Sequence, residues 1–243
     1  ISTVIKGFKS FRPPVAPSLI LLLFALLFTT LGTWQTKRAA EKESLEQQYQ
    51  QAPEMSLKTA IAQKSRFSRI SVSGHYDPER HFLLDNQIWK GRVGVFVFTP
   101  FYSNAGNVLL INRGWLPLSP DRKSLPEITT PDGEIIVNGI LNTPPVPGKV
   151  LGQADKLHEN HWPQLVTYMN LPDLSRSLDQ NLESWVIQLS DSEPGGFEGR
   201  EWKAVYLSPD RHRAYAFQWF ALTAASIIMW FYLGFRHPSG TKK

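Results

Sequence analysis

Six histidines and no cysteine bound the chemistry open to this 243-residue chain. Without cysteine there are no disulfides, thiolate metal sites or thiol nucleophiles. Two stretches carry metal-ligand residue types: His158-Glu159-Asn160-His161, and His75-Tyr76-Asp77 with His81 and Asp85. Neither has the i, i+4 spacing that puts two histidines of a zinc hydrolase on one helical face, and both sit in turn-like sequence. Solvated loop histidines are the simpler reading. The chain has no Gly-x-Ser-x-Gly elbow, no serine–histidine arrangement and no Gly-x-x-x-x-Gly-Lys phosphate loop. It therefore reads as a non-enzyme. An enzyme would have to be built on a polar cleft joining His75, Asp77 and His81.

A different grouping lies in two distant segments. Leu31-Gly32-Thr33-Trp34-Gln35-Thr36-Lys37-Arg38 leads on to Lys42, and Asp210-Arg211-His212-Arg213 leads into Tyr215-Ala216-Phe217-Gln218-Trp219. On helices, Trp34, Arg38 and Lys42 share a face by i, i+4 steps, and so do His212, Tyr215, Ala216 and Trp219. An imidazole, aromatic plates and cations together suit a flat, apolar, anionic molecule. Haem meets that description, with iron on a neutral imidazole, the ring against Trp and Tyr, and the propionates on Arg and Lys. A general membrane-interface belt uses the same residue types, since Trp and Tyr collect there and Arg and Lys snorkel to water.

These segments must be positioned by the two apolar runs that they border. Pro17 to Trp34 holds eighteen uncharged residues, about 27 Å of helix and close to one hydrocarbon core. Its Leu, Ile and Phe residues between Leu19 and Phe28 favour the bilayer by about 3–5 kcal/mol. Leu31-Gly32-Thr33-Trp34 lacks the small-x-small pattern of signal cleavage, so the run reads as a retained anchor. The second run, Ala214 to Phe235, is uncharged, with Tyr215 and Trp219 at one end and Trp230 and Tyr232 at the other.

The net charge of +5 sits in the tails. Lys6, Lys9, Arg12, Arg236, Lys242 and Lys243 are six of the 26 basic residues, leaving 20 against 21 acids between them. A neutral body does not offer a nucleic-acid surface. Basic tails beside two spans point instead to cytoplasmic termini, and a long loop crosses largely regardless of its own charge. The expected organisation is a tail at 1–16, a span at 17–35, an extracytoplasmic domain at 36–212, a span at 213–235 and a tail at 236–243.

The fold class expected is α+β: two transmembrane helices flanking an antiparallel β-rich domain, a sheet or barrel with a few short helices. Thr36 to Gln51 continues the first helix, and a short helix follows near Ser56–Gln63. Strands are predicted at Arg69–Ser73, within His81–Tyr102, at Val108–Leu116, Glu134–Leu141, Trp185–Leu189 and Trp202–Leu207. Ser103–Asn107 reads as a hairpin loop, Pro131-Asp132-Gly133 as a turn and Asn170–Leu178 as a helix. Prolines between 117 and 131 and between 144 and 148 mark surface loops, and Asp191–Gly199 is expected to be flexible.

Five ordered blocks resemble the Surfeit locus protein 1 family. They are Gly32-Thr33-Trp34-Gln35 with Arg38 and Lys42; Gly74-His75-Tyr76; Gly94-Val95-Phe96-Val97-Phe98-Thr99-Pro100-Phe101; Val108 to Pro117 with its Asn112-Arg113-Gly114-Trp115; and His212 with Tyr215-Ala216 and Trp219-Phe220. Glu41 stands where many relatives carry a bulky aromatic, and Arg211 and Arg213 add charge beside His212. The resemblance implies a chaperone-like assembly factor of the bacterial inner membrane, with its central domain periplasmic. Such a factor serves respiratory-chain biogenesis by receiving haem a and aiding its insertion into cytochrome oxidase subunit I. Haem a synthase and other oxidase assembly factors are further implied partners, along with membrane lipid. By the same resemblance His212 is the iron ligand, bordered by Trp34, Gln35, Arg38, Tyr215 and Trp219. A subunit-binding scaffold that holds no haem is the alternative. Asn112-Arg113-Gly114-Trp115 reads as structural, with glycine allowing a tight turn after a strand and Arg and Trp packing beneath the sheet.

Overall fold

The computed structural model describes residues 11–122, 124–146, 157, 161–205 and 207–236. His158-Glu159-Asn160, residues 147–148 of the second proline-rich loop, Tyr206, His237 and the charged tail residues Lys6, Lys9, Lys242 and Lys243 lie outside these. The chain divides into two units, one made of residues 1–47 with 204–243 and the other of residues 48–203.

The first unit is a helical hairpin. Helix α1, Val15–Gln50, begins with the apolar run and continues through the Ala-, Glu- and Gln-rich stretch. The second long helix, Pro209–Arg236, is the last of four in chain order and is called α4. Only 6% and 11% of their apolar windows are buried within the protein. Leu19, Leu23 and Leu26 are each more than 60% exposed, which excludes the buried core helix of a water-soluble domain and leaves lipid as their solvent. Polar groups inside the runs are closed internally: Thr30, Thr33, Thr223 and Ser226 donate to the carbonyls of Leu26, Thr29, Trp219 and Leu222. Those bonds remove the cost of an unpaired hydroxyl in hydrocarbon.

The hairpin is zipped along its length. Arg12 N–H donates to the Gly234 carbonyl at 2.9 Å, and Trp230 Nε1 to Ser18 Oγ at 2.9 Å. Phe28 stacks on Trp219 at 5.7 Å, and Thr29 and Thr223 hydroxyls meet at 3.4 Å. At Gly32 the Phe220 ring lies where a Cβ would stand, 2.7 Å away. A small residue is what lets a ring enter this seam, as in other lipid-embedded helix pairs.

Among its described residues the second unit holds two short helices and seven strands: α2 Leu57–Ala62, β1 Arg69–Tyr76, β2 Phe82–Trp89, β3 Arg92–Ser103, β4 Val108–Pro117, β5 Ile135–Asn142, β6 Gln164–Val166, α3 Leu171–Leu178 and β7 Leu182–Leu189. The strand order is β1-β5-β7-β4-β3-β2-β6, and β1 also pairs with β3. Five strands therefore close into a ring, a small barrel that β2 and β6 extend. The pairings are antiparallel except β4–β7 and β2–β6, which are parallel.

The barrel interior gathers Ile70, Val72, Tyr76, Phe101, Leu109, Ile111, Val137, Leu141 and Ile187, with Leu57 and Ala60 of α2 packed against them. A second cluster forms where α3 (Leu174, Leu178) and β6 (Val166) cover Phe82, Phe98, Leu110 and Val186. The Leu-Leu-Ile run of β4 is thus buried on both faces, which is why it does not alternate. Pro100 lies inside β3, where the strand's partner changes from β2 (last pair Phe82↔Phe98) to β1 (first pair Tyr76↔Phe101). Its missing N–H costs little at such a changeover.

Three expectations are corrected. Residues 202–205 form no strand; both ladder sides of β7 are already taken by β4 and β5, and Trp202 is held instead by its indole N–H on the Leu189 carbonyl. Asn112-Arg113-Gly114-Trp115 lies inside β4 and not at a turn; the register slips there against β3, and Gly114 takes φ +107, a bulge conformation that glycine tolerates. Asp191–Gly199 is tied down: Arg113 Nε donates to Gly195, Arg200 to the carbonyls of Phe197, Ser190 and Glu193, and Trp115 N–H to Glu198. Strand β6 is an addition, since three residues carry no readable alternation.

Candidate functional site

The chemistry-bearing histidines of the β-rich unit do not converge. His75 stacks on Tyr102 at 5.3 Å. Asp77 Oδ1 accepts the N–H groups of Glu79 and Arg80, and Oδ2 accepts Arg80 Nε at 2.7 Å. Burial pushes the Asp77 carboxyl up, but these donors outweigh it and hold it below its ordinary value. His81 is buried on Thr99, and Asp85 is bonded to Arg122. Among the described residues no three His, Asp or Glu side chains could hold a metal ion. His75, Asp77 and His81 are each engaged with a different neighbour: Tyr102, Arg80 and Thr99.

Arg113 is wholly buried. Its guanidinium donates to the carbonyls of Thr129 and Gly195 and to the hydroxyls of Thr99 and Thr130, between the rings of Tyr76 and Phe197 at 5.0 and 4.8 Å. Burial lowers its pKa to about 10, raises that of Tyr76 to about 12 and, with the Arg113 charge, lowers that of His81 to about 4. This is an internal brace, in keeping with the structural reading of Asn-Arg-Gly-Trp.

The other grouping assembles within the helical hairpin. On α1, Gln35 lies one turn beyond Gly32 on the face that meets α4. On α4, Pro209 starts the helix and Asp210 occupies its first turn, placing His212 opposite Gln35. His212 Nδ1 and Gln35 Oε1 are 2.8 Å apart. A carbonyl oxygen can only accept, so Nδ1 is the donor, and in a neutral ring Nε2 then carries the lone pair. That Nε2 is buried and has no hydrogen-bond partner among the described residues, an arrangement that leaves it open to a ligand.

The remaining predicted residues have other neighbours or face outward. Trp219 takes part in the seam through Phe28. Trp34 and Tyr215 are about half exposed. Arg38 lies 5.9 Å from the Trp34 ring centre and pairs with Glu41 at 2.8 Å. A groove of about 400 Å³ opens beyond the Gln35–His212 contact, lined by Thr36, Ala39, Glu43, Arg213, Ala216 and Phe220 among others. Its guanidinium belongs to Arg213, which bridges Glu43 at 2.7 Å and Asp210 at 2.9 Å. Sequence reasoning missed Glu43 and Ala39. The usable signal is register: once Gln35 is set against His212 in an antiparallel pair, the small residues Ala39 and Ala216 fall on the shared face.

The residues suit a haem on one count, donor chemistry. A Gln35 bond to Nδ1 is of the kind that outer-shell partners make to metal-bound histidines, leaving Nε2 for a ligand.

Two apolar helices, one on each side of a small barrel in the sequence, define a two-anchor membrane protein. The SURF1 family model matches residues 22–224, a range that holds most of α1, the first part of α4 and the whole barrel. The chain is 25% identical over 231 residues to a SURF1-like protein of Rickettsia prowazekii, covering 91% of this chain and 89% of that one. It is 25% identical over 232 residues to the Surfeit locus protein 1 of Takifugu rubripes, covering 87% and 94%. A SURF1-like protein of Caenorhabditis elegans is 23% identical over 244 residues, covering 88% and 72%. The chain belongs to the SURF1 family.

Proposed function

We propose that this chain is a membrane-anchored assembly factor for haem–copper cytochrome oxidase. In this reading it receives haem a at the outer membrane interface and aids its insertion into subunit I, itself catalysing no reaction. Family membership supports the assembly role. The observation that carries the haem reading is the buried, unpartnered Nε2 of His212 beside a Gln35 that holds Nδ1. His212 would bind the iron, Trp34, Tyr215 and Trp219 would border the ring, and Arg38 would take a propionate. Bound there, the haem supplies its own redox chemistry; the protein's task is to hold and release it. One axial imidazole suits a carrier, because transfer requires that affinity remain moderate.

The basic tails, Arg12 and Arg236 among them, support cytoplasmic termini, which put the barrel in the periplasm of a bacterial inner-membrane protein. Haem a synthase and other assembly factors are the partners that such a route would require on the supply side. The test is to purify the protein from cells making haem a and compare its haem content with that of His212→Ala. Loss of the Soret band in the variant is expected. An equal haem content would remove His212 as ligand, and a wild-type protein without haem under any supply would favour a scaffold that binds oxidase subunits alone.

A further inference from the structure

The hairpin joining β2 and β3 carries an exposed feature that neither the helix pair nor the barrel core uses. Its turn is Lys90–Gly91, and Ile88 pairs directly across it with Val93. Ile88 is 72% exposed and Val93 52%, two branched aliphatic side chains side by side on one face. The other face is cationic and aromatic: Lys90 Nζ lies 4.2 Å from the Trp89 ring centre, and the Arg92 guanidinium 5.6 Å from that of Trp115. Between Ile88 and Val93 there are two cations and no acid. Of the neighbouring carboxylates, Glu201 accepts the Trp89 indole N–H at 3.2 Å and is itself flanked by Lys90 and Lys203, and Glu198 lines a groove with Arg92.

Aliphatic tips with an adjoining Trp and basic residues suit the headgroup layer of a bilayer, where rings and long cationic stems are stable half in and half out of water. The chain is already anchored in a bilayer. Glu201, bonded to the hairpin, precedes Pro209 of α4 by a tether that spans at most roughly 30 Å fully extended. Two cations near an anionic surface are too few to bind alone and enough to orient a tethered domain.

We infer that the β2–β3 hairpin is a second, peripheral membrane contact, with Ile88 and Val93 at the headgroup level of an anionic bilayer and Lys90 and Arg92 on lipid phosphates. This rests on the two helices being membrane anchors and is independent of haem binding.

The chain has no cysteine, so single labels are clean. Full-length Ile88→Cys and, as a control in the β3–β4 loop at the other end of β3, Ala105→Cys are each labelled with an environment-sensitive fluorophore. They are placed in nanodiscs of zwitterionic lipid or of lipid with one third phosphatidylglycerol, both doped with headgroup-depth nitroxide lipid. The expected result is at least twofold stronger quenching at 88 than at 105 in anionic discs, falling toward the control level in zwitterionic discs and in Lys90→Glu/Arg92→Glu. Equal quenching at 88 and 105 overturns the inference, as does quenching at 88 that ignores both lipid charge and charge reversal. Energy transfer between label-88 copies in detergent, without lipid quenching in discs, overturns it in favour of a second copy of the chain.

Discussion

The Gln35–His212 hydrogen bond divides the two nitrogens of one imidazole between two tasks, with Nδ1 fixed and Nε2 left as a lone-pair donor. Replacing Gln35 by Leu frees the ring to rotate and to change tautomer, so haem retention is expected to fall roughly 10-fold or more, read as the haem-to-protein ratio after purification. At the barrel's brace, Arg113→Leu would take the donor away from the Thr129 and Gly195 carbonyls and from the buried Thr99 hydroxyl. The expected loss of stability is on the order of 3 kcal/mol or more, measured by denaturant unfolding of the full chain in detergent. His81 gives a pH signature. Its folded pKa is lowered to about 4 from 6.5, so the unfolded chain takes up the proton first as pH falls. The stability associated with neutral His81 is complete above pH 6.5 and declines toward pH 4, by up to about 3 kcal/mol. His81→Asn should flatten the pH dependence of stability in that window; an unchanged slope would assign it to other groups. Of these residues, His212 was legible as a ligand type and Arg113 as a side chain packed beneath the sheet, whereas the burial of His81 was not, since its turn-like local sequence does not show the Thr99 hydroxyl of β3 that it meets.

Among the elements, the α1–α4 seam depends on small residues at the points where rings and helix backbones approach. The Phe220 ring fills the space over Gly32, so Gly32→Leu should force the helices apart near the Gln35–His212 contact. In this cysteine-free chain, a Thr29→Cys/Thr223→Cys pair should form a disulfide readily and do so several-fold more slowly when Gly32→Leu is added; an unchanged rate would show that the seam does not depend on that glycine. The long spans were legible because eighteen apolar residues have few alternatives. Strands with polar–apolar alternation, such as β1, were legible for the same kind of reason. Strand β6 and the bulge at Gly114 were not, because both are set by the partner strand and not by their own residue pattern. Residues 202–205 have strand-like composition, but the ladder has no free edge for them at β7.

For the molecule as a whole, two lipid-facing helices and a closed barrel reconcile a basic isoelectric point with a neutral body, because the excess charge lies in the tails. The proposed orientation predicts that a membrane-impermeant maleimide labels Ala105→Cys in intact spheroplasts as fully as in lysed ones. Labelling only after lysis would put the barrel in the cytoplasm and remove the outer-interface haem reading. The haem-delivery proposal itself is tested most directly at the iron. Haem a is titrated into the purified apoprotein and into His212→Ala, with the Soret band and the iron–histidine stretch followed by absorption and resonance Raman spectroscopy. Saturable binding with an imidazole-ligated signature, weakened at least 10-fold and stripped of that signature in His212→Ala, is the expected result. Identical ligation spectra and affinities in the two proteins would contradict it.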